Sequence, residues 1–352
     1  MSALVSPNNV MSKPFIHTVS GDLPTSACGM VLSHEHLFID LTNQAAPGAS
    51  DRAVISADRP ALMQDPYAMR DNLSVDDFNG AVEECTELKE CGCNTVVDCT
   101  TAQIGRDAKR LLKLSREAGI NIVMGCGYYT ADTLGDDFRT KTVDEAAETI
   151  LRDCTEGVCD GIRAGVIGEI GTSRDILPEE RKALIAAAKA QTQCGLAVQV
   201  HIFPWSSNGL EATRLLMENG VSPDRIVICH SDVEPNRDYI LSLLKLGVYV
   251  ELDNFGKEFT PAPGGFAAGR FIPDTERVDL AAWIIQSGFE KQLLLTNDIC
   301  LKCLLRKNGG AGYRHIFANI VPMMTAKGIP EDLIKRRVLR DNPLRKLTGT
   351  GD

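Results

Sequence analysis

The sequence of 352 residues lacks two kinds of segment that would direct a protein to a membrane. It has no run of about 18 apolar residues, the length that a membrane helix requires. It also has no basic amino-terminal stretch followed by an apolar one, so we expect no signal peptide. These absences predict a cytoplasmic protein without a membrane partner.

Positive charge is also scarce in this sequence. Lysine and arginine together number 37 against 47 aspartates and glutamates, which gives a net charge of −10. Nucleic acids and anionic membranes bind clustered cations, so we expect neither of them as a partner. A small anionic substrate stays compatible with this balance, because a few local cations are enough to bind one.

Several sequence motifs are missing as well. No predicted strand is followed by the G-x-G-x-x-G turn of a dinucleotide-binding sheet, and no H-E-x-x-H helix is present. The twelve cysteines include two close pairs, Cys91 with Cys93 and Cys300 with Cys303. Neither pair has the distant second pair that a structural zinc site needs. We therefore expect the cysteines to be reduced and to act as small hydrophobic side chains.

The sequence does contain a repeating pattern of short β-branched runs, polar turns and amphipathic helices. Eight runs are predicted as strands: 29–36, 94–100, 120–129, 164–171, 196–202, 225–232, 248–254 and 292–298. Strands that alternate with helices predict an α/β protein, here a (β/α)₈ TIM barrel, with an open doubly wound sheet as the alternative. We expect one domain over 1–352, with the barrel at about 30–325. A β-hairpin at 15–29 precedes the barrel and a closing helix at 330–347 follows it.

Polar residues that can bind metal ions recur at the ends of these predicted strands. Four of the six histidines stand there, together with two carboxylates. The set is His34, His36, Glu169, His201, His230 and Asp298. Catalytic residues of such barrels come from the carboxyl ends of the strands, so we expect these six side chains to meet.

The chemistry of this set indicates two divalent metal ions. Because residues two apart on a strand point the same way, His34 and His36 converge, and Asp298 from the last strand joins them. His201 and His230 can bind a second ion, with Glu169 between the two. Zinc is expected first, while manganese, iron and cobalt suit the same ligands. The alternatives are hydrogen-bonded core histidines and a buried carboxylate paired with a lysine.

Five segments carry a resemblance to a known family. They are "SHEH", "VIGEIG", "VQVH", "ICHSD" and "LTNDICLK", and they resemble the phosphotriesterase family of the amidohydrolase superfamily. The resemblance implies a (β/α)₈ barrel, a binuclear metal centre, hydrolysis and a homodimer. Many members carry a carbamylated lysine where Glu169 stands. With a glutamate at this position, the sequence resembles the subgroup of phosphotriesterase-related proteins and lactonases.

These observations predict a hydrolase that uses a hydroxide bridging two metal ions, with Asp298 as the catalytic proton carrier. The expected substrate is a lactone or carboxylic ester of a sugar acid, with or without a phosphate group. A phosphodiester, a phosphotriester or an N-acyl amide is the alternative on the same centre. A barrel that binds a small molecule without catalysis is a third interpretation.

The loops after the strands supply candidates for binding an anionic substrate. They are Tyr129, Trp205, Lys257 and Arg270, with a rim aromatic and solvated loop charges as the alternative interpretations. The loop after the last strand adds Lys302, Arg306, Tyr313 and His315. The long insertion at 51–72 is expected either to cover the site or to contact a second subunit.

Overall fold

The computed structural model describes residues 14–263, 265 and 267–349. Both ends of the predicted 1–352 domain therefore lie outside the described residues. Twelve strands fall within the described part: β1 (Phe15–Thr18), β2 (Gly21–Pro24), β3 (Met30–Glu35), β4 (Ile39–Asp40), β5 (Ser74–Val75), β6 (Cys93–Asp98), β7 (Asn121–Cys126), β8 (Val166–Gly171), β9 (Val198–His201), β10 (Ile226–Ile228), β11 (Tyr249–Leu252) and β12 (Leu293–Leu295).

Eight of these strands form one parallel sheet, which confirms the predicted barrel. The order along the sheet is β3, β6, β7, β8, β9, β10, β11 and β12, which is also their order along the chain. Every neighbouring pair is parallel. Parallel neighbours require crossover connections, and helices supply most of them. All eight strands predicted from the sequence are present.

Eleven α-helices lie in the described part of the chain, and the longer ones pack around the sheet. They are α1 (Arg59–Leu62), α2 (Phe78–Glu90), α3 (Ala108–Ala118), α4 (Asp136–Thr140), α5 (Val143–Thr155), α6 (Pro178–Cys194), α7 (Gly209–Glu218), α8 (Arg237–Leu246), α9 (Asp274–Gln286), α10 (Val321–Ala326) and α11 (Asn342–Thr348). Wider, π-helical stretches at Ile316–Ile320 and Leu333–Asp341 lead into α10 and α11. None of the described helices is long and apolar enough to cross a bilayer.

Local sequence signals explain where several helices begin and end. Helix α5 starts at a capping box, in which Thr142 accepts from the Glu145 amide and the Glu145 side chain accepts from the Thr142 amide. Helix α3 is capped by Asp107 and ends at Gly119, whose φ of 62° is the left-handed conformation that glycine adopts without strain.

Glu35 joins the last strand of the barrel to the first. Its buried carboxylate accepts hydrogen bonds from Thr296 Oγ1 at 2.7 Å and from the Asn297 and Ile299 amides at 2.9 Å each. Thr296 Oγ1 also lies 2.8 Å from the His34 carbonyl oxygen. Glu35 therefore closes the barrel beside the two histidines.

The predicted hairpin and closing helix lie at the amino-terminal end of the barrel. Strands β1 and β2 pair antiparallel. Ile16 of β1 and Leu344 and Leu347 of α11 pack in one buried cluster with interior residues of the strands, including Val31 and Val166. This apolar plug leaves the opposite, carboxyl end of the strands free to hold polar groups.

The twelve cysteines are all described and none forms a disulfide.

Candidate metal centre

The six predicted ligands come together at the carboxyl end of the barrel. His34 lies in β3 and His36 just after it, Glu169 lies in β8, and His201 ends β9. The ring centroids of His34 and His36 are 5.4 Å apart, and those of His201 and His230 are 4.6 Å apart. The convergence follows from the fold, because the carboxyl ends of parallel strands meet at one end of the barrel.

The first group of donor atoms comes from the seam between β3 and β12. His34, His36 and Asp298 each present one ligand atom, and these atoms lie within 4.8 Å of one another. His36 Nε2 is 3.1 Å from Asp298 Oδ1, and His34 Nε2 is 3.7 Å from the same oxygen. Asp298 has a φ of 50°, a left-handed conformation that turns the chain sharply after the strand.

The second group comes from three adjacent strands. Glu169, His201 and His230 also present atoms within 4.8 Å of one another. Glu169 Oε1 is 3.1 Å from His201 Nδ1 and 3.2 Å from His230 Nε2. The Glu169 carboxylate also faces the first group, with Oε1 3.4 Å from His34 Nε2 and Oε2 3.6 Å from His36 Nε2. The glutamate therefore stands between the two groups.

The outer nitrogens of three histidines have partners that fix the orientation of each ring. His34 Nδ1 is 3.1 Å from Glu251 Oε2, and His230 Nδ1 is 2.9 Å from Asp253 Oδ1. His36 Nδ1 is 2.9 Å from Thr100 Oγ1. Histidines that bind metals usually donate their other ring N–H to such a partner, which leaves the inner nitrogen free for the ion.

One buried atom tests whether metal ions fit here. His34 is fully buried, and its Nε2 makes no hydrogen bond. A buried polar atom without a partner is rare in folded proteins and calls for an explanation such as an ion. The atom faces Glu169 and Asp298, and a set of imidazole and carboxylate donors suits a divalent transition metal. Both groups are therefore able to hold metal ions.

The charges of the site are strongly coupled. Burial raises the pKa of Asp298, but Lys257 and His34 beside it outweigh burial and bring that pKa to about 2. Burial likewise raises the pKa of Glu169, yet His34 and His201 hold it well below its ordinary value. Burial and the neighbouring His230 lower the pKa of His201. Both carboxylates are therefore ionised at neutral pH and available as ligands.

A cavity of about 420 Å³ opens above the two donor groups. His36, Glu169, His201, His230 and Asp298 line its floor. The volume lies within the roughly 300–1,000 Å³ of small-molecule sites in general. The floor of this cavity is where a substrate would meet the donor groups.

Three of the four predicted substrate-binding residues line this cavity. They are Tyr129, Trp205 and Lys257. The Tyr129 hydroxyl is 3.3 Å from His201 Nδ1, and the buried Lys257 ammonium forms an ion pair with Asp298 Oδ2. Arg270 is not among the lining residues. Its exposed guanidinium pairs with both carboxylate oxygens of Glu276, at 3.0 and 2.7 Å.

The other candidates of the last loop hold the framework instead of lining the cavity. Lys302 pairs with Asp71 at 2.6 Å, which ties the loop to the 51–72 insertion. The Tyr313 hydroxyl donates to the His36 carbonyl oxygen at 2.7 Å, and His315 Nε2 is 2.7 Å from Asp274. Arg306 forms an ion pair with Glu87. These contacts join residues that are far apart in the sequence, so the local sequence pattern does not predict them.

Sequence reasoning missed Arg174 and Tyr67, which also line the cavity. Tyr67 and Pro66 belong to the 51–72 insertion, so within this chain the insertion covers the site. Arg174 follows β8 in the "GTSRD" segment. Its place directly after the Glu169 strand could have identified it, because loops that follow barrel strands surround the active site.

Comparison with known proteins identifies relatives that match nearly the whole chain. The sequence model of the Phosphotriesterase family matches residues 14–347. N-acetyltaurine hydrolase of Tetraodon nigroviridis is 36% identical over 346 residues, covering 95% of this chain and 97% of that protein.

Two solved structures superpose well on the barrel. A resiniferatoxin-binding protein from Rhodobacter sphaeroides has a TM-score of 0.91 at 30% identity, covering 96% of this chain and 95% of that one. The phosphotriesterase homology protein from Escherichia coli, with phosphate in its active site, has a TM-score of 0.77 at 29% identity, covering 91% and 99%. The resemblance inferred from the five segments is thus confirmed. The chain belongs to the phosphotriesterase family.

Proposed function

We propose that this chain is a metal-dependent hydrolase that cleaves the amide bond of a small N-acylated compound carrying an anionic group. The observation that carries the proposal is the pair of donor groups around Glu169, with the unpartnered Nε2 of His34 facing them. The similarity to N-acetyltaurine hydrolases over 95% of the chain supports the choice of an amide. A lactone or carboxylic ester, which the sequence favours, presents the same carbonyl group and is the second substrate to test.

The ligands divide into two sets in this proposal. His34, His36 and Asp298 would hold one ion, and His201 and His230 would hold the other, with Glu169 placed to serve both. We expect zinc first, since imidazole and carboxylate donors are its usual partners. Two such ions, when bound, lower the pKa of a water molecule and polarise the carbonyl to be attacked.

Asp298 is the proposed proton carrier. It is ionised at neutral pH, since its pKa lies at about 2, and it lines the cavity floor. Hydrolysis of an amide releases an amine, which departs only after its nitrogen gains a proton. A carboxylate within reach of both the attacking water and the leaving nitrogen can move that proton. Lys257, paired with Asp298 Oδ2, keeps the carboxylate oriented.

Tyr129 is the proposed donor to the carbonyl oxygen. Burial and the nearby Glu169 raise the pKa of its phenol well above the ordinary value, so the hydroxyl keeps its proton. The hydroxyl lies beside His201 at the cavity floor. A fixed O–H donor at this place stabilises the negative charge that develops on the carbonyl oxygen during attack.

A hydrolysis screen tests the proposal. Protein loaded with zinc or manganese is offered N-acetyltaurine, N-acetylglycine, sugar lactones with and without phosphate, and phosphodiesters. Released amine is measured with an amine-reactive dye and lactone opening with a pH indicator. We expect turnover of the anionic amides above all others, and strongly reduced turnover in Asp298→Asn. Cleavage of a lactone or phosphodiester with no amide turnover would contradict the amide assignment.

A further inference from the structure

The cationic side chains around the cavity differ in whether a carboxylate of the chain already neutralises them. Lys257 forms a buried ion pair with Asp298, and Arg270 is paired with Glu276 outside the cavity. Arg174 lines the cavity and makes no ion pair with the described residues. Its positive charge is therefore available to a ligand.

Aromatic packing places the Arg174 side chain at the cavity mouth. Its Cζ lies 4.7 Å from the centroid of the Phe203 ring, a cation–π contact. Arg174 is exposed, and it lines both the cavity and an adjoining surface groove that contains Arg270. The guanidinium thus stands between solvent and the cavity, with one of its faces against an aromatic ring.

Two acids near Arg174 have hydrogen-bond partners of their own. Asp132 also lines the cavity, and its Oδ1 accepts from the Thr130 hydroxyl at 2.6 Å. Glu180 accepts from the Ser173 hydroxyl and amide at 2.6 and 2.9 Å. A ligand anion at Arg174 would therefore not displace an ion pair of the protein.

A second unpaired donor lies in the same wall of the cavity. Trp205 lines the cavity, and its buried indole Nε1 makes no hydrogen bond. Its ring packs edge to face on both Phe203 and Phe271, at centroid distances of 5.8 and 5.2 Å. This N–H edge packs against Gly269, so Trp205 contributes the apolar part of its ring to the wall.

We propose that Arg174 binds the anionic group of the substrate, a sulfonate or carboxylate, while the acyl carbonyl lies at the cavity floor. This inference rests on the proposed function, because it assigns the two ends of the same substrate. The planar guanidinium matches the paired oxygens of either anion. The aromatic wall of Phe203, Trp205 and Phe271 lines the cavity on this side. Arg174 is then a residue that determines specificity for the anionic substrate.

Binding of two matched ketones tests the inference without turnover. In 4-oxopentane-1-sulfonate a methylene replaces the amide nitrogen of N-acetyltaurine, so it cannot be hydrolysed. Its methyl sulfone counterpart has nearly the same shape and no charge. Calorimetry on zinc-loaded protein compares the wild type with Arg174→Met and Arg174→Lys. We expect Arg174→Met to raise Kd for the sulfonate about tenfold, as for one charge-assisted contact, and to leave the sulfone within about twofold. Arg174→Lys should recover part of the loss.

A matched control separates this effect from a general loss of surface charge. Arg237 is also exposed, and its Cζ lies 5.1 Å from the centroid of the Trp283 ring, outside the cavity. Arg237→Met should leave both Kd values unchanged. Equal effects of Arg174→Met on the two ketones, or no effect on either, would overturn the inference.

The kinetic version separates this inference from the proposed function. If the wild type hydrolyses N-acetyltaurine, Arg174→Met should raise KM about tenfold with kcat within about twofold, because the contact is remote from the carbonyl. If no amide is cleaved but sulfonate binding still depends on Arg174, the proposed reaction fails and the anion site stands. Amide cleavage with sulfonate binding independent of Arg174 would support the reaction and reject the site.

Discussion

At the scale of single residues, Asp298 connects the proposed metal ligands with the cavity. Its Oδ1 lies 3.1 Å from His36 Nε2, while its Oδ2 is paired with Lys257. One carboxylate can therefore serve as a ligand through one oxygen and carry a proton through the other. These two roles are separable by a substitution that keeps the shape and removes the charge.

Asp298→Asn should lower kcat by about 10²- to 10⁴-fold, the usual contribution of a positioned acid or base. The amide keeps an oxygen for the ion, so we expect most of the bound metal to remain. Steady-state kinetics and metal analysis of the same sample measure both quantities. Full activity in this variant would show that another group moves the proton.

His230 should make metal uptake depend on pH. Burial lowers its pKa, but the charge and hydrogen bond of Asp253 outweigh burial and raise the pKa to about 10 in the metal-free protein. This raised pKa stabilises the metal-free fold fully below the unfolded value of about 6.5. That stabilisation is lost as the pH rises through about 10.

An ion must displace the His230 proton, so the affinity for zinc should rise between pH 6 and pH 9 with proton release. Calorimetric titrations in buffers of different ionisation enthalpy count the released protons. Affinity that stays constant over this range, with no proton released, would contradict the assigned protonation of His230.

At the scale of elements, the closing helix α11 connects to His34, a proposed metal ligand, through a buried chain of hydrogen bonds. Lys346 Nζ donates to the Ser33 carbonyl oxygen at 3.0 Å and to Gln199 Oε1 at 2.8 Å. Gln199 Nε2 donates to Glu251 Oε2 at 2.7 Å, and that oxygen lies 3.1 Å from His34 Nδ1. The helix therefore helps to orient a ligand at the opposite end of the strand.

Lys346→Met should lower the free energy of unfolding by about 1–3 kcal/mol, because the two oxygens lose their buried donor. It should also weaken zinc binding by about tenfold through the loosened partner of His34. Urea unfolding and metal titration measure the two effects. Lys335→Met is the control, since the Lys335 side chain is 44% exposed and pairs only with Glu331 in the described part of the chain. A Lys346 variant as stable as the control would refute the structural role.

Sequence patterns predict the elements better than they predict their polar contacts. The eight strands are short β-branched runs between turn residues, so periodicity alone identifies them. The positions of the proposed ligands can then be predicted, because the carboxyl ends of all eight strands meet at one end of the barrel. Arg174 and Lys346 were not predicted, since their partners Phe203 and Gln199 lie on other elements. Arg270 was predicted to bind the substrate, but it pairs instead with Glu276 at the start of α9.

At the scale of the whole molecule, the chain has a net charge of −10. Among the described residues that line the cavity, Arg174 is the one cationic side chain without an ion-pair partner. The electrostatic field of the negatively charged chain repels anions, so binding of an anionic substrate depends on local contacts. The expected homodimer stays a prediction, which sedimentation analysis can check. The 51–72 insertion already covers the cavity through Pro66 and Tyr67 of the same chain, so the site needs no second subunit for this wall.

The proposed centre consists of two groups of donors that hold two metal ions, with Glu169 between them. Its most direct test is metal analysis of protein loaded with zinc and dialysed, in the wild type and in Glu169→Ala. We predict two ions per chain in the wild type and one or fewer in the variant, with circular dichroism showing that the barrel is retained. A wild-type protein that binds no metal after loading, or a variant that keeps both ions, would contradict a two-ion centre bridged by Glu169.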